Sequence, residues 1–484
     1  MNFKFVLNII GRILLILAVF MMTIIPWVIY FHENSILPAI EESIAIPLII
    51  GLVLILLTKS YKKEIGPKEA YIIASIAWII MGIAGSLPYW LSHTTSSFID
   101  ALFESISGFT TTGSSILSDI EAAPKSVLYW RSLTHWIGGM GIIVLTVAIF
   151  PSLRIASYRL FSSESSGIDS SKLKPKTSSM AKRLWGIYIA LTAIMTLILM
   201  MGGVNFYESL CHAFASIATG GFSTKNASAG FYSPFVQYVM MIFMLLSGIN
   251  FALHYGLLKG RFRSMLNNIE LKSYLGIIFF VGTAISLMLY FKQGLPLEQA
   301  FRDSFFQVIS IITATGFASA DYLEWNQICW LLIFLLMFVG ACVGSTGGGI
   351  KVIRHVVAFK AISRVFGQIL HPHRVKSIQI NKTSISEDKV QAILTFIFIY
   401  LFIFFIGGMS LLATGLDPAS AFSASITCMG GIGPGLGTVG PASNFAHLTD
   451  FAKIILPVLM IIGRLEVLSF LVMFTPSFWK EYKN

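Results

Sequence analysis

Four short runs of glycine and hydroxyl residues recur along this 484-residue chain: Ser107–Ser115 (SGFTTTGSS), Ser216–Thr224 (SIATGGFST), Ile311–Ser319 (IITATGFAS) and Thr427–Gly435 (TCMGGIGPG). Their side chains offer no nucleophile–base pair, so the chemistry open to them is that of oxygen dipoles. A monovalent cation in water is held by such dipoles, and a narrow passage must replace them at similar strength without trapping the ion. Backbone carbonyls meet that need. Turning successive carbonyls toward one axis takes backbone angles that glycine reaches without a Cβ penalty, while Thr and Ser hydroxyls supply or brace further oxygens.

One glycine per run is the economical requirement, and a register follows from the runs themselves. Ala101 lies twelve residues before Gly113 and Ala421 twelve before Gly433, with Ser105-Ile106 matching Ser425-Ile426 between them. In this register Gly221 and Gly316 complete the set, and Ser107 aligns with Ala215, Ser310 and Thr427. The candidate ion-binding residues are then Thr111, Thr112 and Gly113; Thr219, Gly220 and Gly221; Ala314, Thr315 and Gly316; and Gly431, Ile432 and Gly433. The fourth run holds Gly430, Gly431, Gly433, Gly435 and Gly437, and several registers fit it. Small residues also serve close helix packing in membranes, and that reading is preferred for Gly138, Gly139 and Gly141, which fall inside a span-length segment.

The elements that must position these runs are set by composition. Apolar residues make up 55% of the chain and charged residues 12%, which excludes an ordinary soluble domain. Several apolar runs reach the roughly 20 residues that cross a bilayer as helix, and the period-2 alternation of a membrane barrel is absent. The fold class expected is an all-α polytopic membrane protein with four tandem span, pore-helix, span repeats around one pore, plus two N-terminal spans. Segments from about 8 to 31 and 43 to 58 give those two spans, the first without a convincing signal-cleavage site and so expected to be retained.

In each repeat a span leads to a helix of about 12 to 17 residues, too short to cross and so re-entrant, then to a Gly/Thr run and a second span. The short helices are Ser97–Thr110, Phe206–Ala218, Leu297–Thr313 and Pro418–Met429; the second spans cover about 126–150, 233–258, from 327 onward, and 451–475. The domains are 1–68 for the N-terminal spans, then 69–160, 161–265, 266–388 and 389–484 for the repeats. The carboxyl end of each short helix would favour a cation at the axis.

The net charge of +11 lies mostly in alternate loops. Lys59, Lys62, Lys63 and Lys68; a Ser-rich stretch with Arg154, Arg159, Lys172, Lys174, Lys176, Lys182 and Arg183, read as flexible; Lys259, Arg261 and Arg263; Lys351, Arg354, Lys360 and Arg364; and Lys480 and Lys483 mark one side. By the positive-inside rule that side is cytoplasmic and holds both termini. Lys125, Lys225, Lys292 and Arg302 are the main outer exceptions. This distribution argues for a lipid bilayer and against nucleic acid as the partner. Neither the four scattered cysteines nor His371-Pro-His373 has the spacing of a metal site.

Two features point to gating. The third repeat's last span is interrupted by Gly340-Ala-Cys-Val-Gly344-Ser345-Thr346-Gly347-Gly348-Gly349, a glycine density no ordinary helix tolerates. It fails as a phosphate loop, because Ile350 intervenes before Lys351 and Val352 follows it. A mobile intramembrane loop obstructing the pore is expected, with a simple helix kink as the alternative. Arg464 sits within the last span, where an unpartnered arginine costs on the order of 2.5–3.5 kcal/mol. Glu466, two residues on, does not share its helix face, so Arg464 needs a partner elsewhere or a wet cavity. It is expected to oppose cations, with a structural ion pair as the alternative.

The four span, pore, span units, the motifs SGFTTTGSS, RSLTHWIGGMG (Arg131–Gly141), ATGGFST, ATGF, GSTGGG (Gly344–Gly349) and GIGPGLG resemble the Trk/Ktr/HKT superfamily of potassium transporters, and within it the bacterial TrkH subfamily, over essentially the whole chain. The resemblance implies a potassium-selective pore, K+ as the transported ion, and a homodimer with one pore per chain in the bacterial cytoplasmic (inner) membrane. It also implies a TrkA-type cytoplasmic nucleotide-binding ring, through which alone ATP, ADP or NAD would act. The 340–349 loop and an arginine at 464 are gate elements in that family, and a glycine at 113 is its potassium-preferring form. The rival reading is a sodium- or proton-coupled potassium symporter, although transporter repeats commonly invert and these all run one way. No motif supports an enzyme.

Overall fold

The computed structural model describes residues 3–59, 67–144, 173–372, 377–381 and 383–479. Six helical segments within it are long and apolar enough to cross a membrane: Phe3–Tyr30, Asn34–Leu57, Lys68–Leu91, Ala181–Met201, Ile269–Gln293 and Glu387–Leu412. The protein is thus a mostly helical, multi-pass membrane protein. Residues 145–172 of the Ser-rich basic stretch, with Lys62, Lys63, His373, Lys480 and Lys483, lie outside the described residues; the rest of that stretch, 173–183, expected to be a flexible loop, is instead the start of a helix, Leu173–Met201.

Helix α1 (Phe3–Met22) and α2 (Leu37–Leu57) form the N-terminal pair. They cross where Gly11 meets Gly51; a Cβ on Gly51 would stand 2.8 Å from the Gly11 carbonyl oxygen, so only glycine permits this approach. The first repeat is α3 (Pro67–Gly85), short helix α4 (Phe98–Phe109) and α5 (Lys125–Val144). The second is α6 (Leu173–Met201), α7 (Phe206–Ile217) and α8 (Pro234–Ser247), continued by α9 (Phe251–Leu258). The third is α10 (Ile269–Gln293), α11 (Leu297–Ile312) and α12 (Gln327–Leu336), continued by α13 (Val352–Leu370). The fourth is α14 (Glu387–Leu412), α15 (Pro418–Gly430) and α16 (Asp450–Arg464).

Three of the four short helices start alike, while α11 follows Pro296 without a side-chain cap. Ser97, Asn205 and Asp417 cap α4, α7 and α15 by accepting the backbone N–H three residues on, at 3.1, 2.8 and 3.0 Å. Such caps satisfy amides that the first turn leaves open. Their inward faces are buried almost without a break.

Two spans expected to be continuous are broken. Helices α8 and α9 bend by 96° across Gly248-Ile249-Asn250, and α16 meets Leu468–Phe474 at 105°. Asn250 caps the new helix through the Ala252 N–H at 2.8 Å. At the second elbow Glu466 and Val467 hold φ of +55° and +38°, conformations that non-glycine residues adopt only when their surroundings impose them. The third repeat's interruption spans residues 337–351, so the last spans of repeats two, three and four are all broken.

Two of the four outer cations that depart from the loop-charge pattern are paired with carboxylates, and a third, Lys125, lies over an aromatic ring. Lys225 lies 3.2 Å from Glu208, Arg302 lies 2.9 Å from Glu298, and the Lys125 ammonium sits 4.8 Å above the Phe31 ring. Inside the protein, Lys453 of α16 pairs with Asp100 of α4 at 2.7 Å. That pair ties the fourth repeat to the first.

Candidate functional site

The four runs share one backbone geometry in the register read from sequence. The N–H groups of Thr112, Gly220, Thr315 and Ile432 donate to the carbonyls of Ser107, Ala215, Ser310 and Thr427, five residues back, at 2.8–2.9 Å. Immediately before each lies a left-handed residue: Thr111, Thr219 and Ala314 at φ +54° to +57°, and Gly431 at +67°. Immediately after comes a glycine with φ between +81° and +99°: Gly113, Gly221, Gly316 and Gly433. Gly433 is therefore the fourth member of the set.

These glycines also define a closed ring. A Cβ on Gly113 would strike the Gly220 carbonyl oxygen, on Gly221 that of Thr315, and on Gly316 that of Ile432. On Gly433 it would lie 2.9 Å from the Thr112 carbonyl oxygen. Each strand thus leans on the residue before the glycine of the next repeat, in the order one, two, three, four and back to one. All twelve candidate residues come together there.

Side-chain bracing differs between quarters. In the first and third, Thr110 bonds Thr112 at 2.8 Å and Thr313 bonds Thr315 at 2.7 Å, while Ser107 and Ser310 donate to the carbonyls of Ser114 and Phe317 at 2.6 and 2.7 Å. The second and fourth quarters have no hydroxyl at the positions of Thr110 and Thr112, where Ala218, Gly220, Gly430 and Ile432 stand.

Behind the first two strands runs a buried set that sequence reasoning missed. Glu104 of α4 pairs with Arg131 of α5 at 2.6 Å, and accepts the Ser115 hydroxyl and the Ile116 N–H at 2.9 Å each. Arg131 donates to the Ser223 carbonyl at 2.9 Å and lies 3.5 Å over the Phe222 ring. One ion pair therefore fixes the outgoing strands of two repeats. Its members are 27 positions apart and the ring beneath Arg131 is 91 beyond it, so no local pattern announces them.

The interrupted segment lies directly beneath the ring. The Thr346 hydroxyl donates to the Ile217 carbonyl at 3.1 Å and meets the Thr219 hydroxyl at 3.2 Å. Gly347 and Gly348 touch the carbonyls of Thr313 and Gly430 so closely that a Cβ on either would collide. The segment is thus an irregular loop crossing the carboxyl ends of three short helices, far more than a kink. Ser345 donates to the Cys342 carbonyl at 2.6 Å, and Gly344 and Gly349 take φ of +77°. The Lys351 ammonium bonds the Gly347 carbonyl.

Arg464 ends α16 beside this loop. It donates to the Thr346 carbonyl at 2.9 Å and the Gly138 carbonyl at 3.0 Å, so its partners are carbonyls on two other segments, and among the described residues no carboxylate forms an ion pair with it. Glu466 instead pairs with Arg354 at 2.5 Å, joining the fourth repeat's elbow to α13. Gly138 and Gly139 are packing glycines: a Cβ on the first would strike the Phe109 carbonyl, and one on the second would lie 2.9 Å from Ala218.

Re-entrant helices delivering four carbonyl-rich strands to one closed ring, with an irregular loop and an arginine below, define a membrane protein built around a single pore. The chain belongs to the TrkH family: the model of that family, described as a cation transport protein, matches residues 36–481. It is 36% identical to the Trk system potassium uptake protein TrkH of Escherichia coli K12, covering 99% of this chain and all of that protein. It is 35% identical to the Trk system potassium uptake protein TrkI of Halomonas elongata, with 98% and 97% covered. The crystal structure of the potassium transporter TrkH from Vibrio parahaemolyticus superposes with a TM-score of 0.91 at 31% identity, covering 99% of this chain and all of that one.

Proposed function

We infer that this chain carries potassium into the cell through the ring, with Thr111–Gly113, Thr219–Gly221, Ala314–Gly316 and Gly431–Gly433 as its selectivity filter. The observation that carries this reading is the closed cycle of four left-handed glycines, each set against a carbonyl of the next strand. Strands locked flank to flank hold their oxygens at a fixed span. That is the condition for replacing an ion's hydration shell at matched strength. The carboxyl ends of α4, α7, α11 and α15 converge on the same place and favour a cation there.

Residues 344–349 are the gate, resting on the ends of three short helices, and Arg464 both anchors that loop through Thr346 and adds a positive barrier to the path. Loop movement and arginine position are then coupled by one hydrogen bond. The resemblance extends the reading to a homodimer in the bacterial inner membrane with both termini cytoplasmic, controlled by a TrkA-type nucleotide-binding ring.

Rubidium and sodium flux through purified protein in liposomes tests this reading. Uptake of rubidium down its own gradient is expected without any second ion gradient, and Gly113→Ser is expected to raise sodium permeation relative to rubidium. Strict dependence on a sodium or proton gradient would replace the channel with a symporter. An unchanged ratio in Gly113→Ser removes the ring from selectivity.

A further inference from the structure

Gly220 is the second residue of its strand, equivalent to Thr112, Thr315 and Ile432 by the shared hydrogen bond to the carbonyl five residues back. Its φ is not among the positive ones, so the backbone does not require glycine here. The surroundings do. A Cβ on Gly220 would overlap the His135 imidazole, lying 2.6 Å from its Cε1.

The other three quarters fill the corresponding space from the strand itself. Thr112 and Thr315 turn back to bond Thr110 and Thr313, and the Ile432 side chain reaches Gly430, where an added Cβ would sit 2.9 Å from its Cδ1. In the second quarter that space is filled by another repeat, through a ring from α5. His135 is fully buried, and neither ring nitrogen has a hydrogen-bond partner among the described residues. It is held by stacking on Phe222, with centroids 4.0 Å apart and planes 18° from parallel. Phe222 lies in turn against Arg131, one helical turn from His135 on the same face of α5.

We propose that His135 is a specificity-determining positioning residue: its imidazole stands in for the side chain that Gly220 lacks and holds the second strand at the span that favours potassium. The proposal rests on the filter reading above. Burying two unpartnered nitrogens is unfavourable, so the ring's bulk and stacking, rather than any hydrogen bond, define its part. A filter selects by the spacing of its oxygens, and a strand with a void behind it can move outward.

The test compares rubidium-over-sodium flux ratios in liposomes for the wild type, H135A, H135L, H135A/G220T and G113S, with thermal melting of each. H135A is expected to lower the ratio about tenfold, the low end of what one altered contact does to discrimination between similar ligands. H135A/G220T, which returns bulk from the strand as Thr112 and Thr315 do, is expected to recover most of that loss, as is the conservative H135L. A wild-type ratio in H135A, or a double variant no more selective than the single, overturns the proposal. If H135A does not fold, H135L decides: a folded H135L with collapsed selectivity assigns the effect to the nitrogens and overturns the role of bulk. A ratio altered in G113S and unaltered in H135A sinks this inference alone, whereas no change in either sinks the filter reading beneath it.

Discussion

Gly431 and Gly433 lie two residues apart in the same strand, and alanine is expected to be tolerated at one and damaging at the other. At 431 the left-handed backbone costs an L-residue roughly 1–2 kcal/mol. The equivalent Thr111, Thr219 and Ala314 already bear that cost at φ +54° to +57°, and a methyl on Gly431 would have nothing nearer than the Thr111 carbonyl oxygen at 3.8 Å. At 433 the φ of +99° lies well outside the left-handed helical well, a placement costing roughly 1–3 kcal/mol. The new methyl would also stand 2.9 Å from the Thr112 carbonyl oxygen, closer than real Cβ atoms approach, so that carbonyl or its strand must shift.

The two variants then differ by about 2 kcal/mol, or roughly 30-fold at 1.4 kcal/mol per decade, if the strain falls on ion binding. In liposome flux, Gly431→Ala is expected to keep its rubidium-over-sodium ratio within about threefold of wild type, and Gly433→Ala to lose about tenfold or more, on the same conversion. Melting temperatures measured on the same preparations separate lost selectivity from lost fold. Equal damage by both variants, or a harmless Gly433→Ala, would refute the reasoning and with it the register of the fourth strand.

Removing the arginine beneath the ring is expected to open the path: a unit charge roughly 8 Å from a passing cation opposes it by about 2 kcal/mol at an effective dielectric of 20. Arg464→Ala should therefore raise basal rubidium flux roughly tenfold or more by that figure, and unchanged flux would remove it as a barrier. The Glu104–Arg131 pair is buried on both sides, and deleting one charge of such a pair costs about 3 kcal/mol or more. Glu104→Gln is thus expected to lower the melting temperature clearly. Glu298→Gln, in a pair whose carboxylate is 58% exposed, should shift stability by less than about 1 kcal/mol; similar effects from both would mean that burial does not set the value of these pairs.

Much of the ring was legible because its parts are local. A short amphipathic helix, a hydroxyl or alanine, and a glycine at fixed spacing are all visible within about twenty residues, and the Ala101/Ala421 alignment led to Gly433. The loop at 340–349 was legible for a different reason, since so many glycines cannot belong to a membrane helix. What escaped was tertiary. Leu465-Glu466-Val467 contains no breaker, and its elbow rests on the pairing of Glu466 with Arg354, 112 positions earlier. The elbow after Ser247 carries only Gly248 and Asn250 as hints, weak ones inside an apolar run. His135 and Phe222 read individually as ordinary core residues, and only their stack behind a glycine gives them meaning.

The four quarters of the ring are encoded on one polypeptide, and they are not chemically alike: hydroxyl braces back the first and third, an imidazole from a neighbour backs the second, and an isoleucine the fourth. Assembling a pore from four copies of one subunit ties every quarter to one codon, so any substitution is felt four times over. Here a single base change alters one wall and leaves three untouched. Such a passage can be adjusted in quarter steps, and drift in one corner can be compensated in another without passing through a form disrupted on all sides.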